Sequence, residues 1–155
     1  MLGNVLWWIG YMVAGIWLQK FFPGLDALIP GFIICLHEKN RQQTAVIVLL
    51  SVIIQEGAGT LPFGLSILWH GVVLLLYYMG VWLFMSGNLV FIALLSLSLG
   101  LGRLGFMLLM DFLRGASMTP QGMLWIFLLQ TFFTPLLWWA AQKSRSVRFG
   151  DANQY

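Results

Sequence analysis

Residues 63–85 read FGLSILWHGVVLLLYYMGVWLFM and contain no Asp, Glu, Lys or Arg. As a helix rising 1.5 Å per residue, this stretch covers about 35 Å, enough to cross a hydrocarbon core about 30 Å thick. Residues 88–110 repeat the pattern with Arg103 as their one charge. Further apolar runs lie at 4–22, 24–37, 44–56 and 121–142, separated by short polar or Gly/Pro breaks. The composition agrees: 60% of the residues are hydrophobic and 8% are charged, against about 25% charged in a soluble domain. So few charges cannot build a water-facing surface. The expectation is an all-α integral membrane protein, a six-helix transmembrane bundle forming a single domain over residues 1–155, with a basic tail at 143–155.

Two of the runs are short. Leu25 to Leu36 and Ala45 to Ile54 would each be marginal spans, because runs of about 10–14 residues can also be re-entrant or buried. They flank the polar loop His37-Glu38-Lys39-Asn40-Arg41-Gln42-Gln43, which must face water. With six spans and the N-terminus inside, Lys39, Arg41, Lys143, Arg145 and Arg148 fall on the cytoplasmic side, and Lys20 and Arg114 fall outside. The positive-inside bias therefore places both termini in the cytoplasm. It also accounts for the net charge of +3 as membrane anchoring rather than nucleic-acid binding. The first run has no basic residue before it and no small-x-small cleavage site after it, so it reads as an uncleaved span.

Trp7, Trp8, Tyr11, Tyr77, Tyr78, Trp82, Phe84, Trp138 and Trp139 cluster where membrane interfaces should lie and read as aromatic belts. Cys35 is the only cysteine, which excludes an intrachain disulfide, a CxxC redox pair and a Cys-rich metal site. Residues 100–105, GLGRLG, match a dinucleotide-binding pattern. That fingerprint requires a preceding strand, however, whereas these glycines lie in an apolar helix and serve close backbone approach. Ser51, Ser66, Ser86, Ser96 and Ser98 lie in apolar runs, where a hydroxyl commonly bonds a carbonyl one turn earlier. No catalytic constellation, metal-ligand set or cofactor motif is visible, so the chain reads as non-enzymatic.

Ionisable groups inside spans are costly and usually face the bundle interior. Four stand out: Glu56, His70, Arg103 and Asp111. Counted along ideal helices, Glu56 lies about 18 Å and Arg103 about 22 Å from the inner surface, with His70 about 10 Å below the outer one. A Glu56–Arg103 pair with His70 nearby would cross-link three helices. Alternatively, Glu56 and Asp111 mark wetted outer helix ends and Arg103 snorkels. Gly57, Gly59 and Pro62, followed by Gly64, suggest a tight connection with at least one glycine at positive φ. Beyond these residues, few interior polar groups are expected.

The stretch Glu56-Gly57-Ala58-Gly59-Thr60-Leu61-Pro62-Phe63-Gly64 resembles the rod shape-determining protein MreD family of bacterial inner-membrane proteins. That family typically ends its third span with an acidic residue, a Gly/Ser-containing turn and a Leu/Pro-x-Gly opening the next. This chain has Glu56 where Asp is commoner. The resemblance extends to the Pro-containing second span with its basic loop (Pro30 to Arg41), the aromatic end of the fourth span, and a last span with mid-helix Pro135 before Lys143 and Arg145. It implies a non-enzymatic scaffold of the cell-wall elongation machinery, embedded in membrane lipids and binding a bitopic partner of MreC type, with neither cofactor nor nucleic acid. The family's fold is similar to the substrate-binding subunits of energy-coupling-factor vitamin transporters. A small-molecule-binding membrane subunit is therefore the alternative expectation.

Overall fold

The computed structural model describes residues 2–57, 64–83, 89–114 and 119–149. They form α1 (Leu2–Phe21), α2 (Ile29–His37), α3 (Arg41–Gly57), α4 (Leu65–Leu83), α5 (Leu89–Arg114) and α6 (Pro120–Phe149), with no strand among the described residues. Three helical segments are long and apolar enough to cross a membrane: Leu65–Leu83, Val90–Phe112 and Pro120–Arg145. Their outer faces carry exposed large apolar side chains such as Leu75, Leu101 and Leu136, which suits a lipid solvent.

The second element is where the structure departs most from the expected spans. Helix α2 has nine residues and so rises about 14 Å, about half the hydrocarbon thickness. The expected start at 24 is displaced because Pro30 occupies the first turn of the helix, where a missing N–H costs nothing. Residues 22–28 instead form an irregular segment, with Gly24 at φ +97 packed on Ile126 of α6. Residues 25–35 are buried throughout, so α2 is a core helix.

Helices α2, α3, α4, α5 and α6 each pack on the next, and α6 closes the circuit on α2. Helix α1 lies over the outside of α2, where Trp8 and Met12 pack with Leu28, Cys35 and Ile47. Gly31 on α2 makes this crossing possible, since a Cβ there would run into the Tyr11 ring and come within 3.2 Å of Trp8. Gly100 does the same between α5 and α6, facing Thr131 and Phe127, whereas Gly105 faces open space. The close-approach reading of the glycine motif therefore holds at Gly100.

One end of the bundle gathers the N-terminus, the 37–43 loop and the tail. Lys39, at φ 56, ends α2, and Asn40 starts α3 by accepting from the Gln43 N–H at 3.2 Å, an N-cap. Arg145 pairs with Glu38 and donates to Asn4 Oδ1 at 3.1 Å, while Asn4 donates to Gln43 Oε1 at 3.2 Å. These contacts put the basic loop and the basic tail at a common end, as the charge distribution requires. Around this end Tyr78, Trp82 and Trp139 are exposed as a belt should be, whereas Trp8, Tyr77 and Trp138 are buried and belong to the core. Phe84 lies outside the described residues.

Candidate functional site

The break before α2 leaves backbone polar groups without helical partners in a buried place, and such groups must be satisfied within the protein. Neighbouring side chains do this. The Tyr11 hydroxyl donates to the Ala27 carbonyl at 2.8 Å and accepts from the Gly31 N–H at 2.8 Å. Gln130 on α6 accepts from the Asp26 N–H at 2.9 Å, and its own amide donates to Thr134 Oγ1 at 3.0 Å. The Asp26 carboxylate accepts from the Leu28 N–H at 3.3 Å, an Asx-type turn at the positive end of α2.

Asp26, 1% exposed, is the centre of the site. Its Oδ1 also accepts from Gln55 Nε2 of α3 at 2.9 Å and from Gln19 Nε2 of α1 at 3.3 Å. Its Oδ2 accepts from Trp69 Nε1 of α4 at 3.0 Å and faces Arg103 Nη1 of α5 at 3.9 Å. The Arg103 guanidinium stacks over the Trp69 ring with its carbon 5.2 Å from the centroid. Side chains from five helices thus converge on one irregular segment and its carboxylate. A buried ion needs both a counter-charge and hydrogen bonds; the site supplies both to Asp26, whereas Arg103 Nε and Nη1 are buried without a hydrogen-bond partner and rely on the 3.9 Å pairing and the Trp69 ring.

The expected site residues distribute differently. Arg103 is buried as anticipated, but its partner is Asp26 and not Glu56. Glu56, half-buried near the end of α3, accepts from the Gly64 N–H at 2.9 Å and so closes the connection to α4. Among the described residues there, Gly64 is at positive φ, +83, while Gly57 ends α3 facing open space. Gly59 and Pro62 lie outside the described residues. Asp111 is half-buried one turn before the end of α5.

His70 is 3% exposed, and its Nδ1 lies 2.7 Å from the Ser66 carbonyl. A carbonyl only accepts, so Nδ1 carries a proton, and Nε2 is buried without a partner. Ser96 and Ser98 bond carbonyls of Ala93 and Leu94 as expected. Ser51 and Ser66 have buried hydroxyls with no partner, and Ser86 lies outside the described residues.

The interior is also more polar than the sequence suggested, because Asp26, Gln55, Gln130 and Thr134 are all buried. Asp26 lies close to the expected start of a span, where the sequence does not mark it as an intramembrane charge. Its signal was the bracket Pro23-Gly24 and Pro30-Gly31 around it, two helix breakers on either side of a lone acid. Among the described residues no group of His, Cys, Asp and Glu is placed to hold a metal. Comparisons of the chain with protein-family models, with curated proteins and with solved structures find no match.

Proposed function

We propose that this chain is a non-enzymatic membrane scaffold of the MreD kind: a protein of the bacterial inner membrane with six crossings, the second made by the irregular segment 22–28 and the core helix α2 together, with both termini cytoplasmic, binding a bitopic partner of MreC type within the cell-wall elongation machinery. One observation carries the choice between scaffold and small-molecule binder. In membrane proteins that bind anionic solutes, the N-terminus of a broken helix points at the ligand. Here that place is taken by the chain's own Asp26, bonded to Leu28, Gln19, Gln55 and Trp69 and faced by Arg103. A carboxylate already held at that place by the chain's own donors favours a rigid body whose working surface is its apolar exterior.

The alternative, a vitamin-like substrate-binding subunit of an energy-coupling-factor transporter, draws support from a different observation. His70 Nε2, Ser66 Oγ and Ser51 Oγ are buried polar atoms without partners, the kind of group a polar ligand satisfies. Pull-down of the intact protein from native membranes, followed by mass spectrometry, separates the two readings. Recovery of cell-wall elongation proteins supports the scaffold. Recovery of an ATP-binding-cassette module overturns it.

A further inference from the structure

Helix α1, together with Phe22 just after it, touches α6 at two levels and parts from it between them. Toward the end that holds the termini, Trp7 Nε1 donates to Ser144 Oγ at 3.1 Å, and the Arg145 guanidinium stacks on Trp7 at 5.2 Å. Toward the other end, the Phe22 and Phe133 rings meet with centroids 5.2 Å apart. Between these clamps lies an apolar groove of about 210 Å³, with Ala14, Gly15 and Leu18 on one wall, Leu137 and Ala140 on the other, and Ala27 in its floor. Its walls run from Leu18 to Tyr11 and from Leu137 to Ser144, so it is about 10 Å long, most of one leaflet's hydrocarbon depth. Exposed Ala14 and Ala140 leave its long side open.

From these features we infer that the groove seats one acyl chain of an anionic phospholipid. The clamps at both ends leave a slot too short and narrow for a whole helix. A flexible chain can lie along it. The charge at the mouth selects the headgroup. Lys143 stands over the exposed Trp139 with its nitrogen 4.9 Å from the ring, next to Ser144 at the end of the groove. The same end of the bundle holds Lys39, Arg41, Lys143 and Arg145 against Glu38 as its acid among the described residues. Basic residues next to interfacial tryptophans mark headgroup depth and attract anionic lipid. The groove thus begins where a phosphate would sit and runs inward where its chain would go. This inference needs the membrane setting and not the scaffold assignment.

The test uses the whole chain reconstituted in phosphatidylcholine vesicles containing a trace of phosphatidylglycerol or phosphatidylcholine, either one carrying a photoreactive group in mid-chain. After photolysis, peptide mapping should find residues 11–18 and 137–144 labelled about fivefold more by phosphatidylglycerol, while sites around Leu75 and Leu101 label alike with both lipids. Ala14→Phe combined with Ala140→Phe should abolish the excess, and Lys143→Gln should reduce the headgroup preference while phosphatidylcholine labelling persists. Equal labelling of the groove by the two headgroups in the unmodified protein overturns the inference and requires no variant to fold. Undiminished labelling in the filled variant at an unchanged melting temperature does the same. So does a protein in native membranes that shields the groove and crosslinks to it, since the seat then belongs to a partner's helix.

Discussion

The Trp69 indole N–H donates to Oδ2 of Asp26 across 3.0 Å, tying α4 to the irregular segment that precedes the core helix. With Trp69 fully buried, no water replaces this donor. Trp69→Phe keeps an aromatic ring for Phe106 and Arg103 to pack against and removes only the N–H and part of the ring. It is expected to cost about 1–3 kcal/mol, the penalty for a buried acceptor left short of a donor. Denaturant unfolding in detergent measures it, and a change near zero would mean that the carboxylate is wet.

The neighbouring charge pair should be coupled. Asp26→Asn turns an amide toward the donors of Gln55 and Trp69 and leaves Arg103 without a counter-charge. Arg103→Gln leaves Asp26 facing neutral donors only. Each single change is expected to destabilise the protein by about 3–5 kcal/mol, and the double variant by clearly less than their sum. Simple additivity in a double-mutant cycle would show that the 3.9 Å separation transmits no coupling.

Gly31 is set against Tyr11 so closely that an alanine methyl must move the ring. Moving it breaks the hydroxyl bridge between the Ala27 carbonyl and the Gly31 N–H. Gly31→Ala should therefore lower stability by about 1–3 kcal/mol, although alanine is the better helix former. Tyr11→Phe, which removes the bridge without adding volume, should reproduce part of the loss. A neutral Gly31→Ala in thermal unfolding would place α1 farther from α2 than described.

Accessibility to membrane-impermeant thiol reagents tests the grouping of the ends. Once Cys35 is replaced, cysteines at Asn40 and Lys143 should label from one side of the membrane, and a cysteine at Lys20, at the opposite end of α1, from the other. Under the proposed topology the first two are protected in intact spheroplasts. Labelling of Asn40→Cys from outside would refute cytoplasmic termini.

The long helices were legible from the sequence because each is an apolar run bounded by breaks. The common end of loop and tail was legible from basic residues alone, and the Glu38–Arg145 pair gives it a structural basis. The partner of Arg103 was not legible. Counting depth along ideal helices assumes that each run spans the membrane, and the 22–28 segment does not continue as a helix, so Asp26 sits at a level that no such count assigns. The roles of Gln55 and Gln130 are illegible for a related reason: an amide in an apolar run announces a hydrogen bond but not its destination. Glu56 is legible because the glycines after it mark a connection, and what it does there, holding the Gly64 N–H, is a local task.

The broken second segment bears on how the chain is built. A nascent helix normally leaves the insertion machinery with its backbone satisfied, but residues 22–28 cannot, because the Asp26 N–H waits for Gln130, which is 104 positions later in the chain. Synthesis therefore reaches α6 before that bond can form. Until then, the Asp26 N–H needs another acceptor, such as water. That one amide ties the segment before α2 to α6, so its final hydrogen bond is made only once α6 exists.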